Sequence, residues 1–169
     1  RQAMRILGFQ YVMGRNIKEA LQRSQKKANR QYRYSYDMLG EAAITQHDAD
    51  RYLQAYRSAI EAIGASHQAE EVFSAPSISV KLSALHPRFE FSQQQRVLAE
   101  IVPRVLELAR LAKANRMALT IDTEEADRLM LTLAVFSAVY QDESLADWEG
   151  FGLALQSYQK RAMAEIARL

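Results

Sequence analysis

The sequence predicts an α/β fold, a partial (β/α)8 TIM-like barrel of about four strand–helix units preceded by a helix. Strand-like and helix-like patterns alternate along the 169 residues, which argues for parallel strands joined by crossover helices. Three strand patterns also end on a polar residue just ahead of a helix signal. These are Ser77-Ile78-Ser79-Val80-Lys81, Met117-Ala118-Leu119-Thr120-Ile121-Asp122 and Gly152-Leu153-Ala154-Leu155-Gln156. The chain is also shorter than the ~250 residues of a complete barrel and stops within a helical pattern, so it is expected to be a half-barrel, a fragment of a longer protein.

In chain order, Asn16 followed by Glu19 predicts a capped helix, with Ile17, Ala20, Leu21, Ser24 and Ala28 at helical spacing. Tyr32, Tyr34 and Tyr36 alternate with polar residues and predict strand one. Thr45 with Asp48 starts a helix whose apolar face is Tyr52, Leu53, Tyr56, Ala59, Ile60 and Ile63, with Gly64 at the position of a terminating glycine. Strand two follows a polar loop and gives way to a turn at His86-Pro87. Ser92 and Gln95 then open a long helix containing Pro103, where a kink is expected. Strand three ends at Asp122, and Thr123, Glu124 and Glu125 read as the acidic first turn of a helix running to about Tyr140. The loop 141–150 leads to strand four, and a last helix starts near Lys160. Residues 1–31 form a helical lead-in and 32–169 the half-barrel. Its outer strands are expected to be open edges, and its inner face apolar.

Composition is that of an ordinary soluble domain, with 49% hydrophobic and 25% charged residues. No apolar run approaches a membrane span and no signal-peptide pattern opens the chain, so a cytoplasmic location is expected. There is no cysteine, which excludes disulfides and thiolate metal sites. The net charge of +2 conceals a basic start: residues 1–34 hold nine Lys or Arg against the single acid Glu19. Such a segment can meet nucleic acid or an anionic membrane, or be the solvated face of a helix. No nucleic-acid motif accompanies it, so direct nucleic-acid binding is not expected.

Side chains at the carboxyl ends of barrel strands point into a shared mouth. A cation (Lys81), a carboxylate (Asp122) and an amide (Gln156) would therefore converge on one ligand. Lys81 beside low-dielectric walls can hold a substrate carboxylate, or lose its proton easily and act as a base or nucleophile. Asp122 is costly to bury alone, and Lys81 on the adjacent strand is its obvious partner. Capping a helix at Thr123 is the competing role. Gln156 can donate to and accept from a ring edge such as a flavin pyrimidine, or satisfy loop backbone. Glu41, on the loop after strand one, can pair with a basic group across the entrance or lie in solvent. His47, His67 and His86 lack metal-ligand spacing, and neither a dinucleotide fingerprint nor a phosphate loop is present.

Four stretches resemble the proline dehydrogenase domain of the bacterial bifunctional proline utilization A family. They are residues 32–43, Tyr-Arg-Tyr-Ser-Tyr-Asp-Met-Leu-Gly-Glu-Ala-Ala, and 79–88, Ser-Val-Lys-Leu-Ser-Ala-Leu-His-Pro-Arg. The others are 121–129, Ile-Asp-Thr-Glu-Glu-Ala-Asp-Arg-Leu, and 156–161, Gln-Ser-Tyr-Gln-Lys-Arg. The resemblance implies a distorted barrel that binds FAD non-covalently and oxidises L-proline to Δ1-pyrroline-5-carboxylate. By the same resemblance Lys81 matches the lysine on the proline carboxylate and Asp122 the aspartate beside it. Thr123 matches a residue near the flavin, its backbone being the expected contact, and Gln156 a glutamine on the isoalloxazine. Glu41 matches a glutamate that pairs with an arginine of the last barrel helix. The membrane quinone pool is the implied electron acceptor, with a peripheral position at the inner face of the membrane and a homo-oligomer as further expectations. The other reading is a non-catalytic half-barrel, a remnant or a binding module that uses its basic start.

Overall fold

Four strands lie in chain order in one parallel sheet: β1 (Ser35–Asp37), β2 (Ser77–Lys81), β3 (Ala118–Asp122) and β4 (Phe151–Ala154). The computed structural model describes residues 2–167. Its helices are α1 (Gln2–Tyr11), α2 (Ile17–Ser24), α3 (Gln46–Gly64), α4 (Gln94–Ala114), α5 (Leu129–Tyr140) and α6 (Ala162–Ile166). Helices α3, α4 and α5 each connect one strand to the next, as parallel pairing requires.

Period-two alternation decides which sheet face is covered. Ile78, Val80, Leu119 and Ile121 are fully buried and share a core with Ile60 and Ile63 of α3, Ile101 and Leu108 of α4, and Leu131 and Val135 of α5. The intervening Ser77, Ser79, Lys81, Ala118, Thr120 and Asp122 are partly exposed. On β4, Gly152 pairs with Thr120 and Ala154 with Asp122. The uncovered face is thus small and polar, which corrects the expected apolar inner face. Only alternate residues of these runs are large and apolar, and the helices take those of β2 and β3.

Several element ends differ from the sequence reading. Strand one is shorter than the tyrosine alternation, because only Tyr36 lies in β1 and is buried. Tyr34 is half-buried and its hydroxyl donates to the Asn29 carbonyl at 3.0 Å, while Tyr32 is exposed. Helix α2 has the expected Asn16 cap, accepting the Glu19 N–H at 3.0 Å, but the Glu19 carboxylate turns to Arg15 and the helix ends before Ala28. The Thr45–Asp48 capping box of α3 is complete. Ser92 caps nothing: it lies in a 3-10 turn (Phe91–Gln93) ahead of α4, which continues through Pro103. No helix begins at Thr123. Residues 123–128 form a loop whose polar groups have other partners, and α5 starts at Leu129.

Gly64 is the last residue of α3, not a terminating left-handed glycine. Its reason is contact: a Cβ there would lie 2.7 Å from Asn115 Cβ at the end of α4. Asn115 is itself fixed by donating to the Leu111 carbonyl at 2.8 Å. Gly64→Ala is therefore expected to destabilise the protein by about 1–3 kcal/mol, measured by urea unfolding. An unchanged midpoint would show that the two helix ends separate freely.

Candidate active site

Lys81 is held at both ends. Its backbone N–H donates to the hydroxyl of Tyr56, a fully buried residue of α3, at 3.2 Å. Burial pushes the Tyr56 hydroxyl up to about 12, so it stays neutral beneath the site. The Lys81 ammonium donates to both carboxylate oxygens of Asp37, each at 2.8 Å, and to Oδ2 of Asp122 at 3.3 Å. Register explains the second contact, since Lys81 and Asp122 are direct partners across β2 and β3. Asp37 pairs in register with Ser79 and reaches up from the end of β1.

The anticipated Lys81–Asp122 pair is thus present, and Asp37 joins it as a second carboxylate that the sequence reading passed over. The signal was there, because Asp37 closes strand one as Asp122 closes strand three. Burial alone would lower the Lys81 pKa. The hydrogen bond and charge of Asp37, with the charge of Asp122, outweigh it and hold the ammonium above its ordinary value. A raised pKa suits a fixed cation rather than an easily deprotonated base. Tyr56→Phe would strand the Lys81 N–H at the base of the site. It should cost about 1–3 kcal/mol in chemical unfolding, and a neutral result would mean that solvent reaches this N–H.

Thr123 is buried and continues the sheet beyond β3. Its N–H and hydroxyl both donate to the Ala154 carbonyl, at 3.1 and 2.8 Å. Its own carbonyl accepts from Nε2 of Gln156 at 3.1 Å. Gln156 lies two residues past β4 rather than closing it. Its Oε1 accepts from the Tyr158 hydroxyl at 2.7 Å and from Gln159 Nε2 at 3.2 Å. The amide is thereby oriented, with one N–H of Nε2 to spare. Lys81, Asp122, Thr123 and Gln156 all lie at the carboxyl end of the sheet. Glu41 sits on the loop after β1 at the same end, with its side chain exposed.

Two further residues join the loops of this mouth. Ser83 lies in a 3-10 turn (Leu82–Ala84) directly after Lys81. Its N–H donates to Glu124 Oε2 at 3.0 Å and its hydroxyl donates to Glu124 Oε1. The same hydroxyl accepts the Ala42 N–H at 3.0 Å, and the Ser83 carbonyl accepts the Ala43 N–H at 2.9 Å. Burial is the main influence on Glu124 and raises its pKa, against the lowering effect of the Ser83 hydrogen bonds. In sequence Glu124 resembles a first-turn acid, and only the fold discloses its partner.

Comparison with known proteins gives this arrangement a family. The family model described as proline dehydrogenase matches residues 20–169. The chain belongs to the proline dehydrogenase family. It is 45% identical to the bifunctional protein PutA of Klebsiella aerogenes over 159 residues, 94% of this chain and 12% of that protein. For PutA of Rhizobium meliloti the figures are 46%, 94% and 13%. The chain thus spans about an eighth of the length of these curated relatives. Among solved structures, a variant of Bradyrhizobium japonicum proline utilization A matches with a TM-score of 0.85 at 53% identity, covering 99% of this chain and 17% of that one. Proline utilization A of Bdellovibrio bacteriovorus reaches a TM-score of 0.86 at 20% identity, over 96% and 18% of the two chains, and so shares the fold. The reading of a partial TIM-like barrel stands on this correspondence.

Proline dehydrogenase family membership implies a flavin, and the residues present fit one. Beside Asp122 the uncovered face carries the small residues Thr120, Gly152 and Ala154, the last of them exposed and two residues before Gln156. A Cβ added at Gly152 would meet nothing nearer than the Thr120 hydroxyl at 3.5 Å. A flat ring needs such a surface and a donor at its rim. Among the described residues no group of His, Asp or Glu is placed to hold a metal ion, and no helix is long and apolar enough to cross a membrane.

Proposed function

We propose that this chain forms the lysine side of a site that oxidises L-proline to Δ1-pyrroline-5-carboxylate, with FAD as cofactor. The observation that carries the reading is the Asp37–Lys81–Asp122 cluster at the strand ends, beside the open β4 surface and Gln156, in a proline dehydrogenase chain. When bound, the flavin supplies the two-electron acceptor for oxidation of the C–N bond.

The substrate is a zwitterion, and this cluster answers both of its charges. Two carboxylates and one ammonium leave a net charge of −1, which attracts the secondary ammonium of proline into the mouth. Lys81 then meets the substrate carboxylate by giving up Asp37. That exchange is the less costly one, because the Asp37 side chain is 53% exposed and regains water, whereas Asp122 is 25% exposed. Asp122 keeps the ammonium in place during the exchange. Further cations are needed to offset the residual negative charge, and a bidentate arginine clamp suits a carboxylate best. Glu41, exposed at the rim, is the residue of this chain positioned to pair with such an arginine.

Gln156 is the cofactor contact, offering its spare N–H to the ring, while Thr123 anchors it from behind through its carbonyl. The reading extends to reoxidation by the membrane quinone pool and to a cytoplasmic protein, peripheral at the inner face of the membrane and homo-oligomeric. Anaerobic mixing of the purified full-length protein with L-proline tests the reaction. Bleaching of the oxidised flavin band with formation of a trappable pyrroline is expected. A flavin left oxidised by excess proline, or a product other than the pyrroline, would overturn the reading.

A further inference from the structure

Glu41 occupies an exposed loop, yet a residue that closes over a substrate must be presented at a fixed place. The loop has few supports of its own. Ala42, directly after Glu41, has φ of 51°, the left-handed region that an alanine adopts only when held there. What holds it is Ser83, whose hydroxyl accepts the Ala42 N–H and whose carbonyl accepts the Ala43 N–H.

Ser83 is in turn fixed by Glu124. A serine hydroxyl has a single proton, and here that proton goes to the carboxylate, which turns a lone pair towards Ala42. The Glu124 carboxylate also takes the Ser83 N–H, so the turn after Lys81 cannot rotate away. One acidic side chain on the β3 loop thus orders the β2 turn, and through it the β1 loop that carries Glu41. The distance in sequence is 41 residues for each of these links.

We propose that Glu124 is a positioning residue for proline oxidation, acting through Ser83 to present Glu41 at the mouth of the site. It touches neither Lys81 nor Asp122 in the hydrogen-bond network, so its effect is separable from theirs. An alanine at 124 removes both acceptors, whereas a glutamine can keep both links, its Oε1 accepting the Ser83 N–H and its Nε2 donating to the Ser83 hydroxyl. Ser83→Ala removes the hydroxyl link and keeps the backbone bonds.

This inference rests on the functional reading above, and the experiment separates the two. Hydrogen exchange of the Ala42 and Ala43 amides is measured in the full-length protein and in Glu124→Ala and Ser83→Ala, alongside steady-state kinetics with L-proline. Exchange at Ala42 is expected to quicken at least tenfold in both variants, with unchanged protection in β2 and β3. KM for proline should rise about tenfold, kcat should change less than threefold, and the flavin content should be unaltered. In a Glu41→Ala background the same substitutions should raise KM less than twofold further, because the residue they present is gone. Unchanged exchange at Ala42, or KM effects that multiply with those of Glu41→Ala, would overturn the inference alone. A parent protein that does not oxidise proline would overturn the functional reading and, with it, any role for Glu124 in that reaction.

Discussion

Lys81→Met in the full-length protein is expected to lower kcat/KM for proline by about tenfold to a hundredfold while leaving flavin content near normal. The lost interaction is a charge-assisted hydrogen bond to the substrate carboxylate, worth about 1.5–3 kcal/mol. The upper end is favoured by what remains, because Asp37 and Asp122 would face the incoming carboxylate with no ammonium between them. The loss should also be flat with pH across the neutral range. Lys81 has a folded pKa above its ordinary value, so its pairing is complete below the unfolded value near 10.4 and fades only as pH rises through the higher folded one. Steady-state kinetics over about pH 6–9, with the flavin absorbance ratio of each preparation, make the check. A variant that keeps kcat/KM but loses its flavin would move Lys81 from substrate to cofactor.

Much of this site is legible in the sequence for a simple reason. In a parallel βαβ chain each strand ends at the same side of the sheet, so a polar residue closing an apolar alternation is placed without knowing any contact. Lys81 and Asp122 follow from that rule, and their register pairing completes it. Asp37 satisfies the same rule, since it directly follows the Tyr32, Tyr34 and Tyr36 alternation, but the reading of strand one stops at Tyr36. Gln156 has the right amide at the right end, although β4 stops before it. The loop from Ser157 to Gln159, not the strand, sets its orientation through Tyr158 and Gln159.

Where the reading fails, a tertiary partner has replaced a local one. Thr123, Glu124 and Glu125 have the composition of a helix start, but Thr123 extends the sheet onto Ala154 and Glu124 reaches Ser83, so the helix waits until Leu129. Gly64 has the spacing of a terminator and instead clears space for Asn115. The inner face reads as apolar because Met117 to Ile121 is continuously apolar once Thr120 is discounted. Counting period two from Leu119 would have placed Thr120 and Asp122 on the same uncovered side.

The same geometry ranks the two carboxylates around Lys81, and the ranking is testable. Asp122→Ala should reduce kcat for proline by about tenfold, whereas Asp37→Ala should reduce it by about threefold or less, each estimate reflecting a hydrogen bond to a charged group and its screening. Bond length alone would reverse the order, since Asp37 holds Lys81 at 2.8 Å and Asp122 at 3.3 Å. Exposure decides against it. The Asp37 side chain is 53% exposed and water replaces it readily, while Asp122 is less exposed and sits in register beside Lys81. Without Asp122 the ammonium has only the β1 carboxylate to follow and is drawn away from β4 and Gln156, the side proposed for the flavin. Without Asp37 the ammonium remains on β3, already freed for the substrate, and KM for proline should stay level or fall. Steady-state kcat and KM for both variants settle the order. If Asp37→Ala proved the more damaging in kcat, Asp37 would be the residue that aims Lys81 during turnover, and the exchange of Asp37 for the substrate carboxylate would be wrong.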